Sequence, residues 1–523
     1  MLLPELTEAA PLQLSSANAR AARRALPPRL ATRLLRATVW ASLLLMWLSR
    51  ISAPAVDIDI WHEMALARAA ALSGSIPQTD SFAYTAPIPR VVHHEWGAGA
   101  VAYLVAAHAG AIGILALRYL LGALIGMLCW AIARWRRADA LPAFSTIAPL
   151  GIFLGGAAFS PIRAHLYSLF FLAALLWLLE RDRRGGRRWI ALWLPASLVW
   201  LNLHGGFVLG IAVLLAHGVE QWLGGARWRH LPATAVAMLA LIPVNPYGTA
   251  YYGYLWRGLD MARAEIPEWN PIWRGIISFP VAAFAISLIV LVYVAARRGW
   301  RTMPGLAILG VLAAAGALHV RMLPFYAVAW TAYAPGYLAS LPAGTRLAGL
   351  FRRPRPWFQA AWLAIAVFFL GLTIVCRPWR LEVPAEGAPD AAVYPVGAVE
   401  YLSRAHFHGN LMTPFEYGAY VSWKLYPAVR VAIDSRYEVA YPEWWTHRVL
   451  DLYRAQPGWR GTLAAYPTDA VLVRRVEPLS PALRQEPGWK RVYADSSYEL
   501  YARPWLNLPI AGETGRPIPG RFP

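Results

Sequence analysis

Asp57-Ile-Asp59-Ile-Trp61-His62-Glu63 follows directly on the first long apolar segment of the chain. Two carboxylates one residue apart, with an imidazole and a third carboxylate one turn on, can abstract a proton or ligate a divalent cation. Acidic side chains are costly near hydrocarbon, so their place at the end of an apolar run marks a site on the far face of a bilayer. Asp57, nearest the helix end, is the first candidate for a base. Asp59 has a structural alternative, since Asp before a helix caps its orphan N–H groups. His62 and Glu63 are read as ligands or as the solvated face of a surface helix.

The elements that must position these groups are apolar helices. In 523 residues, 58% are hydrophobic and 26 are tryptophan. Repeated runs of spanning length make this a polytopic α-helical membrane protein. The formal charge of +20 would suit nucleic acid, but its distribution excludes that partner. Arginines cluster between apolar runs, at Arg20 to Arg36, Arg134 to Arg137, Arg181 to Arg188, Arg227 and Arg229, Arg297 to Arg301, and Arg346 to Arg355. With every cluster cytoplasmic, two crossings separate each from the next. The runs predict about eleven spans, near 37–55, 112–133, 143–160, 166–180, 189–204, 207–223, 231–245, 279–296, 304–319, 325–341 and 357–376. The N-terminal segment 1–36 is then cytoplasmic, and the first span is uncleaved because no small-residue cleavage site follows it. Segment 377–523 is extracytoplasmic. Cys129 and Cys376 are the only cysteines, both in or at the end of spans, so disulfides do not stabilise the exterior part.

The loop 56–111 is long for a helix connection, and such loops are usually functional. Residues 60–72 predict a surface helix with Trp61 as interfacial anchor, and 97–109 a second helix kept within the loop. Between them lie Asp80, in a Thr-Asp-Ser turn that needs no catalytic purpose, and the cluster His93-His94-Glu95-Trp96. Glu95 and His94 form a second acidic and imidazole pair that could fold back to the first.

This organisation resembles the GT-C superfamily of membrane glycosyltransferases. The carrying residues are Asp57-Ile-Asp59-Ile-Trp61-His62, Ile76-Pro77 through Asp80-Ser81-Phe82 to Tyr84-Thr85, and His94-Glu95-Trp96. With Trp200-Leu-Asn202-Leu-His204-Gly205-Gly206-Phe207, Asn245-Pro246-Tyr247-Gly248, Ile266-Pro-Glu268-Trp269 and Arg321-Met-Leu-Pro324-Phe325, they are similar to a group of bacterial GT-C-like proteins. The resemblance implies an inverting transferase in the bacterial inner membrane. Its donor would be a polyprenyl-phosphate sugar, and its acceptor an extracytoplasmic lipid, glycan or protein. It also implies an aspartate near Asp57 as base or metal ligand. No spacing specifies a metal, although the carboxylates and imidazoles would accept a divalent one, and no second Asp-x-Asp occurs.

Transfer from a lipid phosphate also needs a cation for the leaving group. Arg118, Arg163, Arg257 and Arg321 stand at exterior helix ends. Arg163, with His165 two residues on, and Arg321, after His319, rank first. Arginine grips phosphate with a planar fork; snorkelling to headgroups is the alternative. Asn202 and His204 are read as contacts to sugar hydroxyls or as packing polar groups.

From Pro378 to about 503 the pattern predicts an α/β domain. Helices are expected at 396–403 and 444–454, and strands at 429–433, 470–473, 491–494 and 499–501. Glu416-Tyr417-Gly418 and Asp434-Ser435-Arg436 resemble the Trp-Trp-Asp-Tyr-Gly region of oligosaccharyltransferases and the Asp after it. Glu416, Tyr417, Asp434 and Arg436 are therefore expected to touch an acceptor. Pro414-Phe415-Glu416 replaces the leading residues there, which argues against asparagine-linked transfer. The end from Pro504 is expected to be poorly ordered. A transporter or a non-catalytic polysaccharide-assembly protein would share the topology. The first would place ionisable groups near the midplane, and the second leaves the loop carboxylates unexplained.

Overall fold

The computed structural model describes residues 27–51, 55–137, 139–159, 162–260, 266–274, 278–387, 393–511 and 519–523. Arg20, Arg23 and Arg24 lie outside them, as do residues 52–54 of the first expected span. The described chain is predominantly helical. Among the described residues, three helices are long and apolar enough to cross a membrane: Trp96–Arg136, Phe279–Arg298 and Pro356–Cys376. Shorter apolar helices are Leu141–Gly156, Trp189–Leu203, Phe207–Leu223, His230–Ala240 and Leu306–Leu318. Helices Pro28–Arg50, His165–Arg183 and Leu323–Leu338 accompany them.

Each expected run coincides with a helix, but several helices are shorter than the run. The run 231–245 ends as a helix at Ala240, ahead of Pro243 and Pro246, which cannot donate to a helical ladder. Trp96–Arg136 joins the expected surface helix 97–109 to the following span. The two parts meet at Gly110, whose φ of 54° and ψ of −146° break the helical path.

The C-terminal segment forms a mixed five-stranded sheet. Its strands are β1 (Gly409–Met412), β2 (Val429–Val431), β3 (Ala470–Arg474), β4 (Lys490–Ala494) and β5 (Tyr498–Ala502), in the order β2-β1-β3-β5-β4. β1 runs parallel to β2 and β3, while β5 is antiparallel to β3 and β4. Helices Val396–Arg404 and Glu443–Tyr453 lie where the sequence predicts them.

The loop after the first helix does not stand apart from this sheet. Tyr84 N–H donates to Val431 O at 3.1 Å, and Val431 N–H donates to Phe82 O at 3.0 Å, extending the sheet beyond β2. Val56, Trp61 and Phe82 share one apolar core with Val431 and Leu472, and Ala83 and Val91 share another with Ile433 and Trp445. Helix Asp59–Ser73 is held between helices Trp96–Arg136 and Gly418–Leu425. Trp61 is therefore fully buried rather than an interfacial anchor, its ring 5.1 Å from that of Tyr420 and 5.9 Å from that of Tyr394. The chain end is also packed: Gly520 N–H donates to Val383 O at 2.9 Å, and the Phe522 ring sits 5.4 Å from Trp61.

Candidate active site

Three polar clusters assemble along the loop. The first gathers three carboxylates from two segments around one guanidinium. Arg163 lies between helices Leu141–Phe159 and His165–Arg183. Its Nε is 2.7 Å from Asp57 Oδ1 and 3.4 Å from Asp59 Oδ2, and its Nη1 is 3.5 Å from Glu268 Oε1. Arg321 Nη1 approaches the same Glu268 oxygen at 3.1 Å, and its guanidinium lies 5.2 Å from the Trp269 ring centre. His319 and Trp269 O, 2.7 Å apart, tie these two segments together.

Asp59 is the first residue of its helix rather than its cap. Ile58 takes the cap position, and Asp57 Oδ1 accepts the Asp59 N–H at 3.0 Å. Burial raises the Asp57 carboxyl to about 6, with Arg163 opposing the rise and Asp59 adding to it. Burial works to lower Arg163, but Asp59 and Asp57 more than reverse it. The guanidinium is thus fixed as a cation.

The second cluster centres on Glu95. His94 Nε2 and His204 Nε2 each lie 3.4 Å from Glu95 Oε1. The backbone sets the His204 tautomer. Gly206 N–H donates to His204 Nδ1 at 2.9 Å, so that nitrogen is an acceptor and Nε2 carries the proton. Trp200 Nε1–H donates to Ser168 Oγ at 2.6 Å, leaving the Ser168 hydroxyl to donate to the same Nδ1 at 2.7 Å. Only glycine serves at 206, because a Cβ there would collide with Ser168 Oγ and His204 Nδ1. Burial opposes the charge of Glu95, yet His94 and His204 outweigh it and hold the carboxyl below its usual range. Tyr254 Oη, 2.9 Å from His94 Nδ1, completes the chain.

Glu63 is the residue that sequence reasoning undervalued. It is only 4% exposed, and its Oε1 carries no hydrogen bond among the described residues. Helix Trp96–Arg136 covers it closely, since a Cβ on Gly99 would lie 2.5 Å from Glu63 O. Burial raises its carboxyl well above the usual range, and Glu95, Asp59 and Asp57 add to the shift. His62, Glu63 and Glu95 each offer one donor atom within 4.8 Å of the others. An imidazole with two carboxylates, one holding an orphaned oxygen, fits a divalent cation. Such an ion and the Glu63 proton exclude each other, because ligands bind deprotonated. The hidden signal was the pairing of Glu63 with Glu95, which are far apart in the chain.

The third cluster is interior. Arg436 Nη1 donates to Asp80 Oδ1 at 2.8 Å and Nη2 to Asp434 Oδ2 at 2.7 Å, with all three side chains at most 2% exposed. Asp80 also accepts N–H bonds from Phe82 and Ala83, the turn role weighed from sequence. Burial opposes its charge, but Arg436 lowers the carboxyl below its usual range. Asp434 and Arg436 therefore spend their charges on each other and on Asp80 instead of facing an acceptor. Tyr417 is likewise buried, its hydroxyl accepting Val393 N–H at 3.1 Å. Glu416 is exposed. Ser435 Oγ, 3.2 Å from His62 Nδ1, links this cluster to the second.

Removing one member of a buried ion group costs about 3–5 kcal/mol, because its partners stay uncompensated. Arg436→Gln should therefore lower the thermal unfolding midpoint in detergent by many degrees. An unchanged midpoint would show that the triplet does not fasten the loop to the sheet.

Other expected residues take structural places. Asn202 Oδ1 accepts Trp96 Nε1–H at 3.1 Å, and its Nδ2 donates to Leu198 O and Val244 O. That uses it as a packing link. Arg118 is buried and donates to Pro378 O at 3.0 Å, and Arg257 is exposed on helix Ala250–Asp260. His165 opens its helix beside Arg163.

Comparison with solved structures places this arrangement in a known fold. The oligosaccharyltransferase of Archaeoglobus fulgidus, in the apo form, superposes with a TM-score of 0.53 at 12% identity, over 91% of this chain and 75% of that one. The arabinofuranosyltransferase AftD from Mycobacteria is also found, with a TM-score of 0.48 and 16% identity, over 92% of this chain and 40% of its own length. No family model matches the sequence, and no curated protein does. The chain shares the fold of that oligosaccharyltransferase.

Proposed function

We propose that the chain is a multi-pass glycosyltransferase of the bacterial inner membrane, moving a sugar from a polyprenyl phosphate to an extracytoplasmic acceptor. The observation that carries the reading is the convergence of Asp57, Asp59 and Glu268 on Arg163 and Arg321 within a GT-C fold. In this reading the chain spans the membrane about eleven times, with segment 1–36 cytoplasmic. The loop 56–111 and the part 377–523 then lie outside.

Asp57 is the base. A carboxyl raised to about 6 is ionised at neutral pH yet far more basic than an ordinary aspartate, the balance general-base catalysis favours. It takes the acceptor hydroxyl proton as the acceptor oxygen bonds to the sugar C1. The C1–O bond to phosphate breaks, and the electron pair leaves with the phosphate. One displacement of this kind inverts the anomeric centre. Arg321 receives the leaving phosphate, since it shares a single carboxylate oxygen with Arg163, whereas Arg163 is committed to two aspartates. Glu95 and His94 contact the sugar hydroxyls, while His204, bonded to Gly206 N–H and Ser168 and facing Glu95, holds that carboxylate in place. A divalent cation held by His62, Glu63 and Glu95 would add electrostatic stabilisation of the phosphate.

The test uses the purified chain in liposomes with a radiolabelled polyprenyl-phosphate sugar and cell-envelope acceptors. Transfer predicts label in an acceptor and release of free polyprenyl phosphate. Movement of intact label across the bilayer without release would replace the transferase with a transporter. Binding with neither outcome would favour an assembly protein.

A further inference from the structure

Asp57 and Asp59 flank Ile58 at the start of helix Asp59–Ser73, and Glu268 comes from a distant segment, the turn Pro267–Trp269. Each brings a carboxylate oxygen within 3.5 Å of the Arg163 guanidinium. Like charges repel, and Asp59 adds to the rise that burial imposes on Asp57, so bringing Glu268 up to this aspartate pair requires a cation between them. The resemblance read from the sequence implies a base or a metal ligand at this aspartate, and the residues present do not fit a divalent metal. A divalent ion would bind each oxygen at about 2.0–2.6 Å. Arg163 Nε already occupies the contact with Asp57 at 2.7 Å, and its fixed charge would repel a second cation.

We propose that Arg163 fills, as part of the chain, the cation site formed by Asp57, Asp59 and Glu268, so that this acidic group works without a bound metal. The guanidinium orients Asp57 through Oδ1, and Oδ2 is then the oxygen that takes the acceptor proton. Its consequence for catalysis rests on the transferase reading, but the geometry itself does not. Arg163 is in this sense a positioning residue, and any metal held at His62, Glu63 and Glu95 belongs to a different set of ligands.

Counting bound Mn²⁺ by electron paramagnetic resonance on the purified full chain tests this without any sugar lipid. In the otherwise unchanged protein, Asp57→Asn and Glu268→Gln should leave the number of bound ions as it is. Arg163→Ala should raise it by one ion per chain, because three unpaired carboxylates then face one gap, and adding Asp57→Asn should remove that ion. Arg163→Lys should keep the original number. Loss of an ion on Asp57→Asn or Glu268→Gln alone overturns the proposal, as does a folded Arg163→Ala chain that gains none. If Arg163→Ala does not purify as a folded protein, the two single carboxylate changes still decide the matter. A chain that shows this pattern yet transfers no sugar retains the internal cation and loses the transferase reading.

Discussion

Replacing Asp57 with asparagine is expected to slow transfer by about 10²–10⁴-fold, the range general acid–base groups contribute. The amide keeps the size of the side chain and its bond to Asp59 N–H but cannot accept a proton. Binding of the sugar lipid should persist. The pH dependence separates this from a purely structural effect. Because the Asp57 carboxyl lies near 6 and the reaction needs its ionised form, transfer by the unchanged protein should fall as pH drops through about 6. Whatever activity the Asp57→Asn chain retains should lack that acid limb. Unchanged turnover, or a residual activity with the same limb, would remove Asp57 from the chemistry and promote Asp59 or Glu95.

Arg321→Ala should weaken binding of a polyprenyl phosphate by about 10- to 150-fold, the equivalent of about 1.5–3 kcal/mol for a hydrogen bond to a charged group. Arg321→Lys should recover only part of this, since an ammonium keeps the charge but loses the planar fork and the stacking on Trp269. A snorkelling arginine behaves differently, because lysine replaces it without loss. Equal binding by the unchanged, Lys and Ala chains, measured by titration with the lipid in detergent, would show that the phosphate is held elsewhere.

The helical architecture was legible because apolar runs and arginine clusters are local signals. Twenty consecutive apolar residues have few other fates than a span, and helix Pro356–Cys376 lies almost where the run 357–376 predicts it. Four of the five strands were legible for the same reason, through short β-branched or aromatic runs. Gly409–Met412 was not, since four residues of mixed character show no alternation. The break at Gly110 and the early end of helix His230–Ala240 were visible as Gly and Pro, but their extent was not.

The site divides along the same line. The sequence by itself determined that carboxylates, imidazoles and isolated arginines cluster at the ends of apolar helices, and it singled out Asp57, Glu95, Arg163 and Arg321. It could not assign their partners. The tertiary structure decided that Arg163 is held by Asp57, Asp59 and Glu268 rather than left open to a phosphate. It also decided that Glu63 is buried beside Glu95, and that Asp80, Asp434 and Arg436 neutralise one another inside the protein. Each of these outcomes depends on which charges meet after the chain has crossed the bundle. Coulomb energy and desolvation follow distance and burial, and neither is encoded in residue type or local spacing.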